Sequence, residues 1–222
     1  MNIIWDIDGT LIANGPPNVN LYRDAVRAIF DITVDINELS HDGKTDRQII
    51  LEYIASTGND SAREKEVSQW LDIHSSEFYV NPLSARKELA GAKNALRIMN
   101  DLGHTNLLMT GNSIARSRAK LGGARFDLNL FNWELSAFGA NFIKRTDLAE
   151  HLALTINGGV VVGDTPGDGN AARFGRFSFV GVTTGIFSRE DLNEFNPVAV
   201  FDNLEIEIHD FIKTIQGPNQ DS

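Results

Sequence analysis

Apolar residues along this chain fall in short runs that end at polar turns. Six runs read as buried strands, at residues 2–6, 106–110, 127–131, 160–163, 178–182 and 198–201. Between most of them the apolar positions recur at a helical period. Residues 92–102 form one such stretch, closed by Gly103. Residues 114–121 form another, opened by Asn112-Ser113 and closed by Gly122-Gly123. Residues 146–154, with Thr146 as a cap, and 168–174, after a turn, complete the set. Strands alternating with helices predict βαβ units. The expected class is therefore α/β, a Rossmann-like parallel sheet with helices on both faces.

Residues 13–86 break this rhythm. They carry helical patterns at 21–30, 46–57 and 63–78 and no clear strand. A helical block after the first strand of a parallel sheet reads as an insertion joined by two linkers, near 13–18 and 81–86. The expected domains are a core of 1–13 with 86–222 and a helical cap of 14–85. Ligands of open α/β sheets bind at the carboxyl ends of the strands. A cap inserted there closes over the site and excludes water. The polar tail 217–222 is expected to fray.

Composition narrows the options. At 222 residues and 42% hydrophobic, the chain can bury a substantial core. A formal net charge of −10 argues against nucleic acid or an anionic membrane as main partner. There is no cysteine, hence no disulfide and no thiolate chemistry. No apolar stretch approaches a membrane span. The sequence enters a strand at once, without the basic start and cleavage site of a secretion signal, so the cytoplasm is the expected location. A monomer or homodimer is expected.

The polar clusters sit where strands end. The first run finishes in Asp6-Ile7-Asp8-Gly9-Thr10. Side chains two apart on a strand share a side, so Asp6 and Asp8 lean into one pocket. Two acids so placed need a cation, a shared proton or separate roles. Taken alone, Asp-x-Asp-Gly is also a turn with local capping. Yet Thr110-Gly111-Asn112 ends the second run, and Gly163-Asp164-Thr165-Pro166-Gly167-Asp168 ends a later one. Parallel strands bring all three clusters to one edge.

On these residues the chain resembles the haloacid dehalogenase (HAD) superfamily of hydrolases, and within it the phosphoglycolate-phosphatase-like phosphatases. Asp6–Thr10 resembles the first motif of that superfamily, Thr110 the second, and Gly163-Asp164 with Asp168 the fourth. The helical block resembles a cap inserted between motifs one and two. The resemblance implies a phosphatase acting on a small phosphorylated metabolite, with Asp6 as nucleophile and Asp8 as general acid and base. Thr110, with the backbone N–H of Gly111 and of Asn112, would hold the phosphoryl oxygens, and Gly9 would let the backbone turn beneath them. Four acids at one edge require a cation, and Mg²⁺ fits oxygen ligands beside a phosphate. Its implied ligands are Asp6, the Asp8 carbonyl and Asp164, with Asp168 a ligand or an orienter of water.

The third motif departs from the pattern, because Thr146 stands after Lys144-Arg145 where relatives often carry proline. Arg145 and Lys144 are both candidates for the cation on the phosphoryl group, and Lys120 is a third. Gly43-Lys44-Thr45-Asp46 reads as a specificity loop in the cap, with Lys44 toward the substrate, although Asp46 also suits a helix cap. The five histidines form no ligand pattern, and the aromatic stretch 126–142 reads as packing. A phosphomutase shares all these motifs. A dehalogenase would not need Asp8, a phospho-accepting signalling domain would lack the cap, and a non-catalytic binding protein would not need the full set of acids.

Overall fold

The computed structural model describes residues 1–15, 20–81 and 83–217. Parts of both predicted linkers (16–19 and Pro82) and the predicted frayed tail beyond 217 lie outside the described residues. In chain order the structure runs β1 (Asn2–Trp5), α1 (Leu21–Phe30), α2 (Asp46–Ser56), α3 (Glu64–Val80), α4 (Ala92–Asp101), β2 (Thr105–Thr110), α5 (Ile114–Gly123), β3 (Ala137–Phe138), α6 (Arg145–Thr155), β4 (Val160–Gly163), α7 (Pro166–Gly175), β5 (Ser178–Val182), α8 (Arg189–Asn193), β6 (Ala199–Phe201) and α9 (Ile208–Gln216).

The strands form one sheet in the order β3-β2-β1-β4-β5-β6, and every pairing is parallel. This is the expected α/β class. The order reverses between β1 and β4. Crossovers on either side of that point leave for opposite faces, so a crevice opens at the carboxyl ends of these two strands. Trp5 lies level with Val162, and the Asp6 N–H donates to the Val162 carbonyl at 3.0 Å. Asp6 and Asp164 are thus the first side chains beyond the sheet at its switch point.

Both faces of the sheet are covered, as the alternation of side chains demands. Ile3, Trp5, Leu108, Val160 and Val162 pack with α4 and α9 on one face. Ile4, Leu107, Met109 and Val161 pack with α6 and α7 on the other. Trp5 keeps its indole N–H satisfied by donating to Asn106 Oδ1 at 2.9 Å, and Asn106 donates in turn to the Leu96 carbonyl. The helices α1–α3 bury a separate cluster of their own, including Tyr22, Ile50, Tyr53 and Leu71. The chain leaves the sheet and returns along paired backbone: Ala13 N–H donates to Lys87 O at 2.8 Å and Leu89 N–H to Leu11 O at 3.0 Å.

Three local expectations are corrected. Residues 127–131 are not a strand. Asp127 turns its carboxylate onto the Asn129 N–H at 3.0 Å and caps a turn of 3₁₀ helix, Leu128–Leu130. The edge strand is Ala137–Phe138, paired to Met109 and Thr110. Gly122-Gly123 does not stop α5, which runs to Gly123. A Cβ on Gly123 would come within 2.1 Å of the Tyr79 carbonyl, so this glycine lets α3 lie close. The cap of α6 is Lys144, not Thr146, and α7 is capped by Thr165. No helix among the described residues is long and apolar enough to cross a membrane.

Helix α9 was not legible as an element, yet its Phe211 is fully buried against Trp5 and Phe201 at ring separations of 5.8 and 5.9 Å. Phe211→Ala is expected to lower stability by about 3–5 kcal/mol, read from urea unfolding. A loss below about 1 kcal/mol would show that α9 does not close the core.

Candidate active site

The strand ends open into a cavity of about 280 Å³ roofed by the helical block. Asp6, Asp8, Thr110, Gly111, Asn112 and Asp164 line it together with Lys44 and Arg145 from the predicted set. Asp168 lies beneath, fully buried. Lys144 is not brought in. It is exposed at the start of α6, with its backbone N–H on the Asp147 carboxylate at 3.2 Å. Its neighbour Arg145, one step into the helix, points inward.

Ligand oxygens of Asp6, Asp164 and Asp168 all lie within 4.8 Å of one another. Arg145 Nη2 donates to Asp6 Oδ1 and lies 2.5 Å from Asp168 Oδ1. That Asp168 oxygen still receives no hydrogen bond, although it is buried. Asp168 Oδ2 is occupied by the Thr165 hydroxyl (2.7 Å) and N–H (3.1 Å), a capping box that fixes the carboxylate. Thr10 donates to Asp164 Oδ1 at 3.0 Å. Backbone crowds the other Asp164 oxygen: a Cβ on Gly9 (φ +83°) would come within 2.1 Å of it, and one on Gly185 within 1.8 Å.

Burial pushes the Asp6 carboxyl up to about 7, with Arg145 opposing and Asp168 and Asp8 adding to the rise. Burial, with the nearby charges of Asp6 and Asp168, carries Asp164 well above the usual range. Burial is the largest cause of both rises, and a charge surplus adds to it. Three carboxylates face one guanidinium, and the two negative charges left over match one divalent cation. The donor set is all oxygen, one buried acid oxygen has the Arg145 ion pair but no hydrogen bond, and the Asp8 carbonyl accepts no hydrogen bond from the described residues. These residues fit a hard divalent ion.

Asp8 differs. Burial raises its carboxyl, but Lys120 and Asn112 outweigh that and hold it below its ordinary value. Lys120 Nζ donates to Asp8 Oδ2 at 2.6 Å and to Asn112 Oδ1 at 2.7 Å, while Asn112 Nδ2 donates to Asp8 Oδ2 at 2.8 Å and to Thr110 Oγ1 at 2.8 Å. Asn112 therefore acts through its side chain. Its N–H is turned to Thr110 Oγ1 at 3.3 Å and so is not aimed at an anion as expected, while Gly9 makes its turn at φ +83° with its N–H on Ile12 O at 2.8 Å. The Gly111 N–H donates to no described residue.

The cap meets the core through Gly111 and a buried polar cluster. A Cβ on Gly111 would lie 2.1 Å from the Lys44 carbonyl, and the Asp46 N–H donates to Gly111 O at 2.7 Å. Lys44 Nζ is paired to Glu52 at 2.6 Å. Thr45 caps α2, which frees the Asp46 carboxylate for other partners. It accepts from Arg116 (2.5 Å), the Tyr22 hydroxyl (2.6 Å) and the Ser113 N–H (2.8 Å). Arg116 also donates to Ser75 Oγ at 3.1 Å. Sequence reasoning missed Arg116, Tyr22, Tyr79 and Gly185. Arg116 sits in α5 beside Ser113, three residues past the cap, and nothing in a single charged helical position marks it as buried.

No protein-family model matches the sequence, and no curated protein matches it. Solved structures do. A haloacid dehalogenase-like family hydrolase from Streptococcus pneumoniae is 13% identical over 96% of this chain and 98% of that chain, with a TM-score of 0.62. A predicted phosphoglycolate phosphatase from Haemophilus somnus is 18% identical over 95% and 97%, with a TM-score of 0.62. A protein assigned as β-phosphoglucomutase from Thermotoga maritima is 20% identical over 96% and 99%, with a TM-score of 0.57. The fold is that of the HAD-like hydrolases. At such identities the likeness is one of architecture, and the chemistry rests on the side chains above.

Two outcomes follow. In the metal-free protein the folded state keeps a proton on Asp6 that the unfolded chain gives up near pH 4. Stability relative to Asp6→Asn is therefore expected to fall as pH rises from about 4 through about 7, checked by urea unfolding in EDTA. Arg116→Met leaves Asp46 buried without its cation and is expected to cost about 3–5 kcal/mol. Adding Asp46→Leu is expected to recover part of that loss, and additive losses in the double variant would mean the two residues are not coupled.

Proposed function

We propose that the chain is a Mg²⁺-dependent phosphatase that hydrolyses a small phosphomonoester through a phosphorylated Asp6. The observation that carries this reading is the charge surplus of Asp6, Asp164 and Asp168, facing a cavity that also holds Asp8, Thr110 and Arg145. Phosphoryl transfer asks little of the protein beyond positioning and charge stabilisation, and this constellation supplies both. The cavity volume of about 280 Å³ suits a small metabolite. The domains proposed are the core 1–13 with 86–222 and the cap 14–85.

An Asp6 carboxylate oxygen attacks phosphorus, and the bond from phosphorus to the ester oxygen breaks. The leaving alkoxide takes a proton from Asp8. Water then attacks phosphorus and gives its proton to the Asp8 carboxylate. The bond to Asp6 breaks, which releases inorganic phosphate and restores both acids. Asp6, Asp164 and the Asp8 carbonyl, with Asp168 behind them, would hold Mg²⁺, which would supply the positive charge that lets the acids ionise and the phosphoryl oxygens approach. The Thr110 hydroxyl and the Gly111 N–H hold those oxygens.

The resting position of Lys120 gives Asp8 a problem that substrate solves. Paired to Lys120, Asp8 stays ionised and has no proton to donate. A bound phosphoryl dianion competes for the ammonium. As Lys120 turns toward it, the Asp8 pKa climbs and the group becomes a usable acid. Lys120 thus joins Arg145 as a cation of the phosphoryl site, in place of Lys144.

A phosphomutase would use the same phosphoenzyme but return the phosphoryl group to a second hydroxyl of the substrate. A phosphosugar that isomerises without phosphate release distinguishes it.

Phosphate release from a panel of phosphomonoesters tests the proposal. Release with Mg²⁺ and none in EDTA is expected. Asp6→Asn is expected to abolish release with the fold retained, and Asp8→Asn to lower kcat by about 10²–10⁴-fold. Release that survives Asp6→Asn would overturn the nucleophile.

A further inference from the structure

Most cations of the cavity have an acid beside them: Lys44 has Glu52, Arg116 has Asp46, Lys120 has Asp8 and Arg145 has Asp6. Arg86 also lines the cavity, from the segment that returns the chain from α3 to the core. It has no acidic partner among the described residues, and its Nε is buried without a hydrogen bond. Its position is built all the same. The guanidinium lies over the Tyr79 ring, 5.1 Å from the centroid. On another side is Gly15, where a Cβ would come within 2.0 Å of Arg86 Nη2.

Tyr79 lines the same cavity, and Lys120 Nζ lies 5.6 Å from its ring centroid. Burial alone raises the phenol, but Lys120, Arg116 and Arg86 together bring it below its ordinary value. A positive region of this kind in a chain of net charge −10 is a local construction. The planar fork of arginine matches a carboxylate or phosphate with two parallel hydrogen bonds. It stands in the same cavity as the acids, apart from the motif clusters.

We propose that Arg86 and Tyr79 form a second anion subsite, which binds a negatively charged group at the far end of the phosphorylated substrate. This rests on the phosphatase reading and makes Arg86 a specificity residue. The substrate then carries two anionic ends, the phosphoryl group at Asp6 and a carboxylate or second phosphate at Arg86.

Non-hydrolysable probes test the subsite without turnover. Propylphosphonate, 3-phosphonopropionate and propane-1,3-bisphosphonate share a head group and differ in the tail. Their affinities are measured by calorimetry with Mg²⁺ present. The intact protein is expected to bind at least one charged tail about 10–100-fold more tightly than the neutral one. The tighter of the two names the tail as carboxylate or phosphate. Arg86→Gln is expected to erase this preference while leaving propylphosphonate affinity unchanged, and Arg86→Lys to restore part of it. The unfolding midpoint of each variant confirms its fold. Equal affinity for all three probes in the intact protein, or an equal loss for all three in Arg86→Gln, overturns the subsite. Selective binding of a charged probe with no phosphate release from any ester would sink the phosphatase reading and leave the subsite standing. Failure to bind any of the three overturns both.

Discussion

An excess of buried negative charge governs this molecule. Asp6, Asp164 and Asp168 meet at the one point of the sheet where strand order reverses, and a single guanidinium answers them. Burial, with Asp168 and Asp8 nearby, drives the Asp6 carboxyl up to about 7, so in the metal-free protein a proton offsets part of the excess. Several features of the surrounding backbone follow from holding the acids close. Thr165 and Asp168 cap each other, Thr10 fixes one Asp164 oxygen, and glycines 9 and 185 let the chain pass beside the other. The carboxylates are thus held from several directions at once.

The second organising contact joins the helical block to the sheet. Arg116 reaches from α5 to Asp46 at the start of α2, and the Tyr22 hydroxyl and Ser113 N–H complete the acid's partners. A buried ion pair is weak support for stability in itself, because desolvation offsets much of the attraction. Its value lies in geometry. In this seating both charges are satisfied, and the helical block roofs the 280 Å³ cavity at the strand ends.

Much of this was legible in the sequence. The apolar runs at β1, β2, β4, β5 and β6 announced themselves because parallel strands are buried on both faces. The acids were found because they follow those runs directly. What was missed lacked any local mark. The strand Ala137–Phe138 is two residues long and is set by pairing with Met109 and Thr110. The run 127–131 looked like a strand because its apolar content was real, but Asp127 bonded its own backbone first. Arg116, Tyr79 and Arg86 matter only because α3, α5 and a return segment converge in space. The choice between Lys144 and Arg145 turned on one residue of helical phase.

The seat of the cap on Gly111 has a consequence for how the two parts can vary. Its contacts there are made by main-chain atoms, the Lys44 carbonyl against a missing side chain and the Asp46 amide on the Gly111 oxygen. Docking at this point therefore reads the path of the loop, not its lettering. The Lys44 side chain, paired to Glu52, takes no part in this contact, whereas even one methyl group added at position 111 would collide with the Lys44 carbonyl. Side chains along the loop that face the cavity are thus separate from the atoms that seat the helical block.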